Sequence, residues 1–188
     1  MKEDDLIQRL CLKDEEAFKL LVETYRNKVY NTVLNILQSS ADADDSTQEV
    51  FIQVYQSISS FKKQSSLSTW IYRIAVHKAL DKLRKRKTRQ RLQQLLPWWM
   101  PDEKRSEENN FYHPGIELDK KEQAAILFEA INSLPEKQQL AFTLIKIQGM
   151  SYQEAAEVMQ QNIKAIESLI TRAKQNLQEQ LQNFKNEK

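Results

Sequence analysis

Ala17, Phe18, Leu21, Tyr25, Val29, Val33, Leu34 and Leu37 recur at three- and four-residue steps, with charged and amide side chains between them. That spacing is the α-helical period and predicts a long amphipathic helix. A second helix is expected from about Ala41–Asp45, whose carboxylates suit a helix N-terminus, with Phe51, Val54, Tyr55 and Ile58 along one face and an end before Phe61. The polar run Lys62-Lys-Gln-Ser-Ser-Leu-Ser68 has no period and reads as a loop. Ser68 is then the expected N-cap of a third helix, whose apolar stripe is Trp70, Ile71, Ile74, Ala75, Ala79, Leu80 and Leu83. The stripe stops at Leu83, although the chain stays strongly basic to Arg91.

From about residue 88 to 116 the pattern breaks down around Pro97, Pro101, Pro114 and Gly115, which marks a linker. Trp98, Trp99 and Met100 inside it are expected to dock on a neighbouring domain or a partner. Periodicity returns near Glu117. A helix through Ala124, Ile126, Leu127, Ile131 and Leu134 should stop at Pro135, and another through Ala141, Phe142, Leu144, Ile145 and Ile147 should stop at Gly149. Ser151-Tyr-Gln-Glu154 is a capping box that predicts a short helix from about Tyr152 to Met159. After Gln160-Gln-Asn162 a last helix should bury Ile163, Ile166, Leu169, Ile170, Ala173 and Leu177. The expectation is an all-α protein of two small helical domains, 10–88 and 118–184, joined by a flexible linker over 89–117. Domains of this size bury only about 60 % of their unfolded surface, so each should be marginal alone.

Composition supports the helical reading, because two glycines in 188 residues are too few for many tight turns or a glycine-rich phosphate loop. One cysteine cannot form an internal disulfide, and Cys11 with His77 and His113 makes no zinc constellation, so neither metal nor cofactor is expected and a reducing, cytoplasmic setting is. No apolar run is long enough to span a membrane, and Met1-Lys-Glu-Asp-Asp5 is too acidic for a signal peptide. No nucleophile elbow or paired acid and base is readable, which argues against an enzyme. The net charge of +2 conceals a strong asymmetry. Residues 1–60 hold 6 basic and 11 acidic side chains, residues 61–91 hold 11 and one, residues 92–123 hold 4 and 7, and residues 124–188 hold 7 of each. An acidic block beside a basic one suggests two partner surfaces, one of them for a polyanion.

Two short helices joined by a three-residue turn, with small Ala155 and Ala156 where they approach, describe a helix-turn-helix. The period leaves Lys164, Ala165, Glu167, Ser168, Thr171, Arg172 and Gln175 outward on the second helix, a face suited to base edges and phosphates. The same pattern also suits an ordinary helical hairpin with a solvated face, and the glycine usual at such a turn is replaced by Gln160. In the basic block, Lys78, Lys82, Arg84, Lys85, Arg86, Lys87, Arg89 and Arg91 face only Asp81 in opposition, a surface that would release counterions on meeting nucleic acid. Trp70 and Tyr72 stand beside the polar loop, placed to stack on an unpaired base, and Trp70 and Ile71 fit a core position equally well.

Four motifs in series, Asp42-Ala-Asp-Asp-Ser-Thr-Gln-Glu-Val-Phe51, Ser68-Thr-Trp-Ile-Tyr-Arg-Ile-Ala-Val-His-Lys-Ala-Leu-Asp-Lys-Leu-Arg84, Leu134-Pro-Glu-Lys-Gln138 and Met150-Ser-Tyr-Gln-Glu-Ala-Ala-Glu-Val-Met159, closely resemble the bacterial extracytoplasmic-function sigma factors. The resemblance covers about residues 10–88 and 118–182. It implies a protein with sigma domains two and four that binds core RNA polymerase, directs promoter-specific initiation through −10 and −35 elements, and is held inactive by a membrane-associated anti-sigma factor. It also implies that Asp44, Asp45, Gln48, Glu49 and Phe51 dock on the polymerase. Phe61–Thr69, with Lys62, Lys63 and Ser65, resembles the loop that captures a flipped −10 base, and Trp70, Arg73, His77, Lys78, Asp81 and Arg84 lie on the helix that holds the opening duplex. For the −35 element the implied readers are Lys164, Ala165, Glu167, Ser168, Thr171, Arg172 and Lys174. Departures from the family pattern are His77 where Asn is frequent, Glu167 and Leu169 where Lys and Arg are frequent, and Gln139 where Arg is common. An autonomous helix-turn-helix regulator, which binds operator DNA without polymerase, is the competing reading; it has no use for the acidic patch.

Overall fold

A computed structural model of the chain describes residues 3–94 and 121–186, with side chains over 3–92 and 126–182. All regular elements among them are helical. They are α1 (Glu3–Cys11), α2 (Glu15–Leu37), α3 (Ser40–Ser57), α4 (Leu67–Gln94), α5 (Lys121–Ser133), α6 (Glu136–Phe142), α7 (Tyr152–Met159) and α8 (Ile163–Asn186). A 3-10 turn, Ile58–Ser60, follows α3, and a π-helical turn, Thr143–Ile147, follows α6.

Local chemistry explains most boundaries. Asp14 accepts from the Ala17 N–H at 3.0 Å and starts α2, which ends at Gln38 in the left-handed region. Ser39 accepts from the Asp42 N–H at 3.3 Å and starts α3. Pro135 stands immediately before α6, where a missing N–H costs nothing. The π-helical turn gives way at Gly149, whose φ of 72° is open to glycine without strain. The Ser151 and Glu154 side chains satisfy each other's backbone N–H groups and start α7.

Helices α2, α3 and α4 form a bundle around Leu21, Val33, Leu34, Val50, Val54, Ile71 and Ala75, all withdrawn from solvent. Ile131, Leu134, Ala173 and Leu177 make a smaller core between α5 and α8. The larger core does not stop at the domain boundary. It continues through Leu140, Leu144, Ala155, Ala156, Val158, Ile166 and Ile170, because α7 packs across α4.

Four local expectations need correction. Helix α1 was not anticipated; at nine residues, with Ile7 and Leu10 as its buried positions, it carries too little period to be read. The cap of α4 is Ser66, which accepts from the Thr69 N–H at 3.1 Å, and α4 therefore starts two residues earlier than a Ser68 cap allows. The helix then runs through residues 89–94, expected in the linker, because charge holds it where apolar contacts end. Arg86 donates to the Leu37 carbonyl at the end of α2 at 3.1 Å, and Lys82 pairs with Asp42 at 3.0 Å. Ile163, expected in the core, is 40 % exposed at the first position of α8. Trp98, Trp99, Met100 and the proline-rich segment lie outside the described residues.

Leu34→Ala removes a fully buried side chain where α2 meets the rest of the bundle, and should destabilise the protein by about 2–5 kcal/mol. Ile163→Ala should cost well under half of that, and chemical denaturation of both variants measures the difference.

Candidate nucleic-acid interface

Helix α3 presents Asp44, Asp45, Gln48 and Glu49 to solvent. Phe51, which the period places on the apolar face and the resemblance among the docking residues, is only 7 % exposed and belongs to the core. The apolar component of this face is supplied instead by Ile52, 56 % exposed, and Tyr55, 37 % exposed, which follow Gln48 at helical spacing. Ile52 was missed because reading the stripe from Phe51 and Val54 places it on the polar side. Tyr55 is held from the side by the Phe18 ring, centroids 5.0 Å apart, and by the Lys13 ammonium 4.3 Å from its centroid. One edge of the acidic face is already neutralised by α4, with Lys82 3.6 Å from Asp45 and Lys78 3.4 Å from Glu49.

The loop ahead of α4 carries Lys62 and Lys63 exposed and Ser65 half-buried. Trp70 leans on Phe61, centroids 5.2 Å apart, so its ring closes the base of the loop while remaining half-exposed. Ile71 is wholly core. Further along α4, His77, Asp81 and Arg84 are exposed, whereas Arg73 and Lys78 are half-buried.

The second domain meets that same face. Arg73 donates from Nη2 to the Glu157 carbonyl at 3.1 Å, near the C-terminal end of α7, where a cation is favoured by the helix dipole. Arg84 grips Glu136 with two hydrogen bonds, 2.6 and 3.2 Å, across the seam. Beneath this pair lies a cavity of about 220 Å³ lined by His77, Leu80, Asp81, Glu136, Leu140 and Met159. Asn132 donates to Gln38 across another part of the seam and accepts from Gln139 at 2.9 Å. Gln139 is therefore a buried amide with a local partner.

On α8 the geometry follows the period. Lys164, Glu167, Ser168, Thr171, Arg172 and Lys174 are exposed, Ala165 is half-buried, and Ile166, Ile170 and Ala173 fill the core. Leu169, one of the departures, is half-buried. The turn before α8 places Gln160 at φ 53°, the left-handed conformation that glycine usually supplies. Asn162 accepts from the Ala165 N–H at 2.7 Å and caps α8. Ser168 and Thr171 donate their hydroxyls to the carbonyls of Lys164 and Glu167, leaving hydroxyl lone pairs outward.

Among the described residues no group of three or more His, Cys, Asp or Glu gathers to hold a metal ion, and no helix is long and apolar enough to cross a membrane.

A helical bundle with a cationic helix, followed by a helix-turn-helix whose second helix stands exposed, defines a two-domain DNA-binding protein. Residues 21–89 match the family model for Sigma-70 region 2, and residues 124–177 match that for Sigma-70, region 4. The chain is 33 % identical to the ECF RNA polymerase sigma-E factor of Haemophilus influenzae over 94 % of each chain. It is 30 % identical to the RNA polymerase sigma-H factor of Pseudomonas aeruginosa, over 96 % of this chain and 94 % of that one. In fold it resembles CnrH, solved in complex with the cytosolic domain of CnrY, with a TM-score of 0.68 and 20 % identity over 96 % of this chain and 97 % of that one. It also resembles the sigma factor RpoE of Bartonella quintana, solved with the anti-sigma factor NepR, with a TM-score of 0.65 and 23 % identity over 88 % and 96 %. The chain belongs to the extracytoplasmic-function sigma factors of the sigma-70 family: it binds core RNA polymerase and directs promoter-specific initiation of transcription.

The Arg84 guanidinium holds the Glu136 carboxyl below its ordinary pKa of 4.5, chiefly through the hydrogen bond. A carboxylate with a depressed folded value stabilises the closed seam fully above the ordinary pKa, and that contribution is lost as pH falls through the depressed value. Carboxyl titration by NMR should show Glu136 below 4.5 in the native chain and returned toward it in Arg84→Gln.

Proposed function

We propose that the sigma-factor activity is divided among four surfaces of this chain. Asp44, Asp45, Gln48 and Glu49, with Ile52 and Tyr55 beside them, dock on core polymerase; carboxylates speed the encounter with a basic surface, and the exposed apolar pair supplies burial once it is made. Lys62, Lys63 and Ser65 form the loop that takes a flipped −10 base, with Trp70 at its base. His77, Lys78, Asp81 and Arg84, with Arg73 deeper on α4, follow the opening duplex. Lys164, Ala165, Glu167, Ser168, Thr171, Arg172 and Lys174 read the −35 element from the major groove.

The observation that carries this reading is α8: every polar residue assigned to the −35 element is exposed, while Ile166, Ile170 and Ala173 anchor the helix from behind. The equal numbers of acidic and basic side chains over 124–188 keep phosphate attraction weak in this domain, so tight promoter binding draws on the holoenzyme as a whole. His77 leaves the preferred −10 base open to a different choice from that of relatives with Asn. The chain works in the cytoplasm, where polymerase and promoter meet, and makes no bond itself; polymerase joins the nucleotides. The two solved relatives with bound cytosolic or anti-sigma partners support regulation by a protein of that kind, membrane-associated in this reading.

Promoters selected from random DNA by the reconstituted holoenzyme should give transcripts with defined starts. Footprints obtained equally well without polymerase would replace this reading with that of an autonomous regulator. On a selected promoter, Arg172→Ala should lower holoenzyme affinity about tenfold and reduce the salt slope by about one, with helix content unchanged by circular dichroism. Undiminished binding would remove Arg172 from the interface.

A further inference from the structure

Helix α1 lies outside the 21–89 segment matched by the family model, and its side chains reach the loop ahead of α4 at each of its two ends and between them. At the far end, the Glu3 carboxylate accepts from the Leu67 N–H at 2.9 Å. Leu67 opens α4, so a residue 64 positions away satisfies one of the N–H groups that a helix start leaves without a partner, with the charge sign that the dipole favours. In the middle, Asp4 pairs with Lys63 at 2.5 Å, and Lys63 is the loop residue whose φ of 54° is unfavourable for a side chain. At the near end, the Cys11 thiol faces the Ile58 carbonyl at 3.8 Å, in the 3-10 turn that leads into Phe61. Ile7 and Leu10, buried in the core, fix α1 itself. The loop's own contacts lie at its two ends: Ser66 caps α4 and meets the Ser68 and Thr69 hydroxyls, and Phe61 rests on Trp70.

A polar loop without periodicity has no internal reason to hold one shape, and an ordering cost falls on whatever it binds unless another element has already ordered it. We propose that Glu3 and Asp4 are positioning residues for −10 base capture: α1 holds the loop in its receiving shape, and so sets how sharply the holoenzyme discriminates among bases at the captured position. This rests on the assignment of Lys62, Lys63 and Ser65 to base capture.

The test uses the full chain with core polymerase on a selected promoter and on versions with each other base at the −10 positions, reading the rate of promoter opening from 2-aminopurine fluorescence. The Glu3→Ala/Asp4→Ala double variant should lose roughly tenfold in the opening ratio between preferred and non-preferred bases, the factor expected for losing a charge-assisted hydrogen bond. Affinity for core polymerase should be little changed, since Ile7 and Leu10 stay in place and keep α1 docked. Glu3→Gln, whose amide oxygen still accepts from Leu67 N–H, should restore most of the ratio when Asp4 is intact, which a general loss of helix α1 would not allow. Lys62→Ala and Ser65→Ala, which alter the loop without touching α1, separate the two claims. If they leave the ratio unchanged, the loop does not capture the base and the proposal falls with that assignment. If they collapse it while the double variant keeps the native ratio, the loop assignment stands and the role of α1 is overturned.

Discussion

Asp42 meets Lys82 at 3.0 Å and Arg86 at 3.7 Å, and Arg86 also donates to the Leu37 carbonyl. This junction ties the end of α2, the start of α3 and the basic half of α4 together where the apolar stripe of α4 has run out. Each contact is partly exposed and worth little singly. Together they decide the path of α4, because three backbone directions converge on one carboxylate and one carbonyl. With α4 fixed there, the loop ahead of it has a firm far anchor, and α7 has a surface to cross. The same cluster takes Asp42 out of the acidic face and leaves Asp44, Asp45, Gln48 and Glu49 as the part that faces outward.

The near-zero net charge is therefore assembled from surfaces of opposite sign. Acidic α3 and basic α4 are neighbours in space as well as in sequence, and four cross-pairs, Lys78 with Glu49, Lys82 with both Asp42 and Asp45, and Arg86 with Asp42, neutralise only their shared edge. Away from that edge each keeps its sign. A protein partner can approach one side and a polyanion the other without either meeting repulsion from the wrong block, an arrangement that favours correct docking more than it adds affinity.

Helix existence and type were legible wherever an apolar period ran for several turns, as in α2 and α8, and wherever a capping motif announced a start, as at Ser151. The same period gave most of the exposed face of α8, with Ile163 exposed and Ala165 half-buried as the exceptions. What escaped depends on long-range or polar contacts. Nothing near Leu67 shows that its N–H is satisfied by Glu3, and nothing near Arg86 shows that it caps another helix. Phe51 lies in the core and Ile52 outside it, a distinction that motif similarity does not make because it marks a stretch of helix without saying which side is buried. The seam was invisible for a further reason: Arg73, Arg84, Glu136 and Glu157 each fit ordinary surface positions, and only their mutual geometry joins two domains.

That seam bears on how the four surfaces work together. Glu136 occupies Nε and Nη2 of the Arg84 guanidinium and so leaves fewer of its N–H groups for a phosphate, and Arg73 donates to the end of α7. On the proposed reading, the −10 surface is thus partly covered by the second domain while the −35 face of α8 stays open. A conformational equilibrium shifts only through a partner that binds one state better, so promoter DNA alone must work against every contact of the closed seam. Apparent affinity then falls by the fraction of molecules already open. In the same reading core polymerase docks on α3 and supplies binding energy that DNA does not. The shared core through Leu140, Leu144, Ala156 and Val158 makes that requirement strong, because separating the domains exposes apolar surface that must be buried again elsewhere.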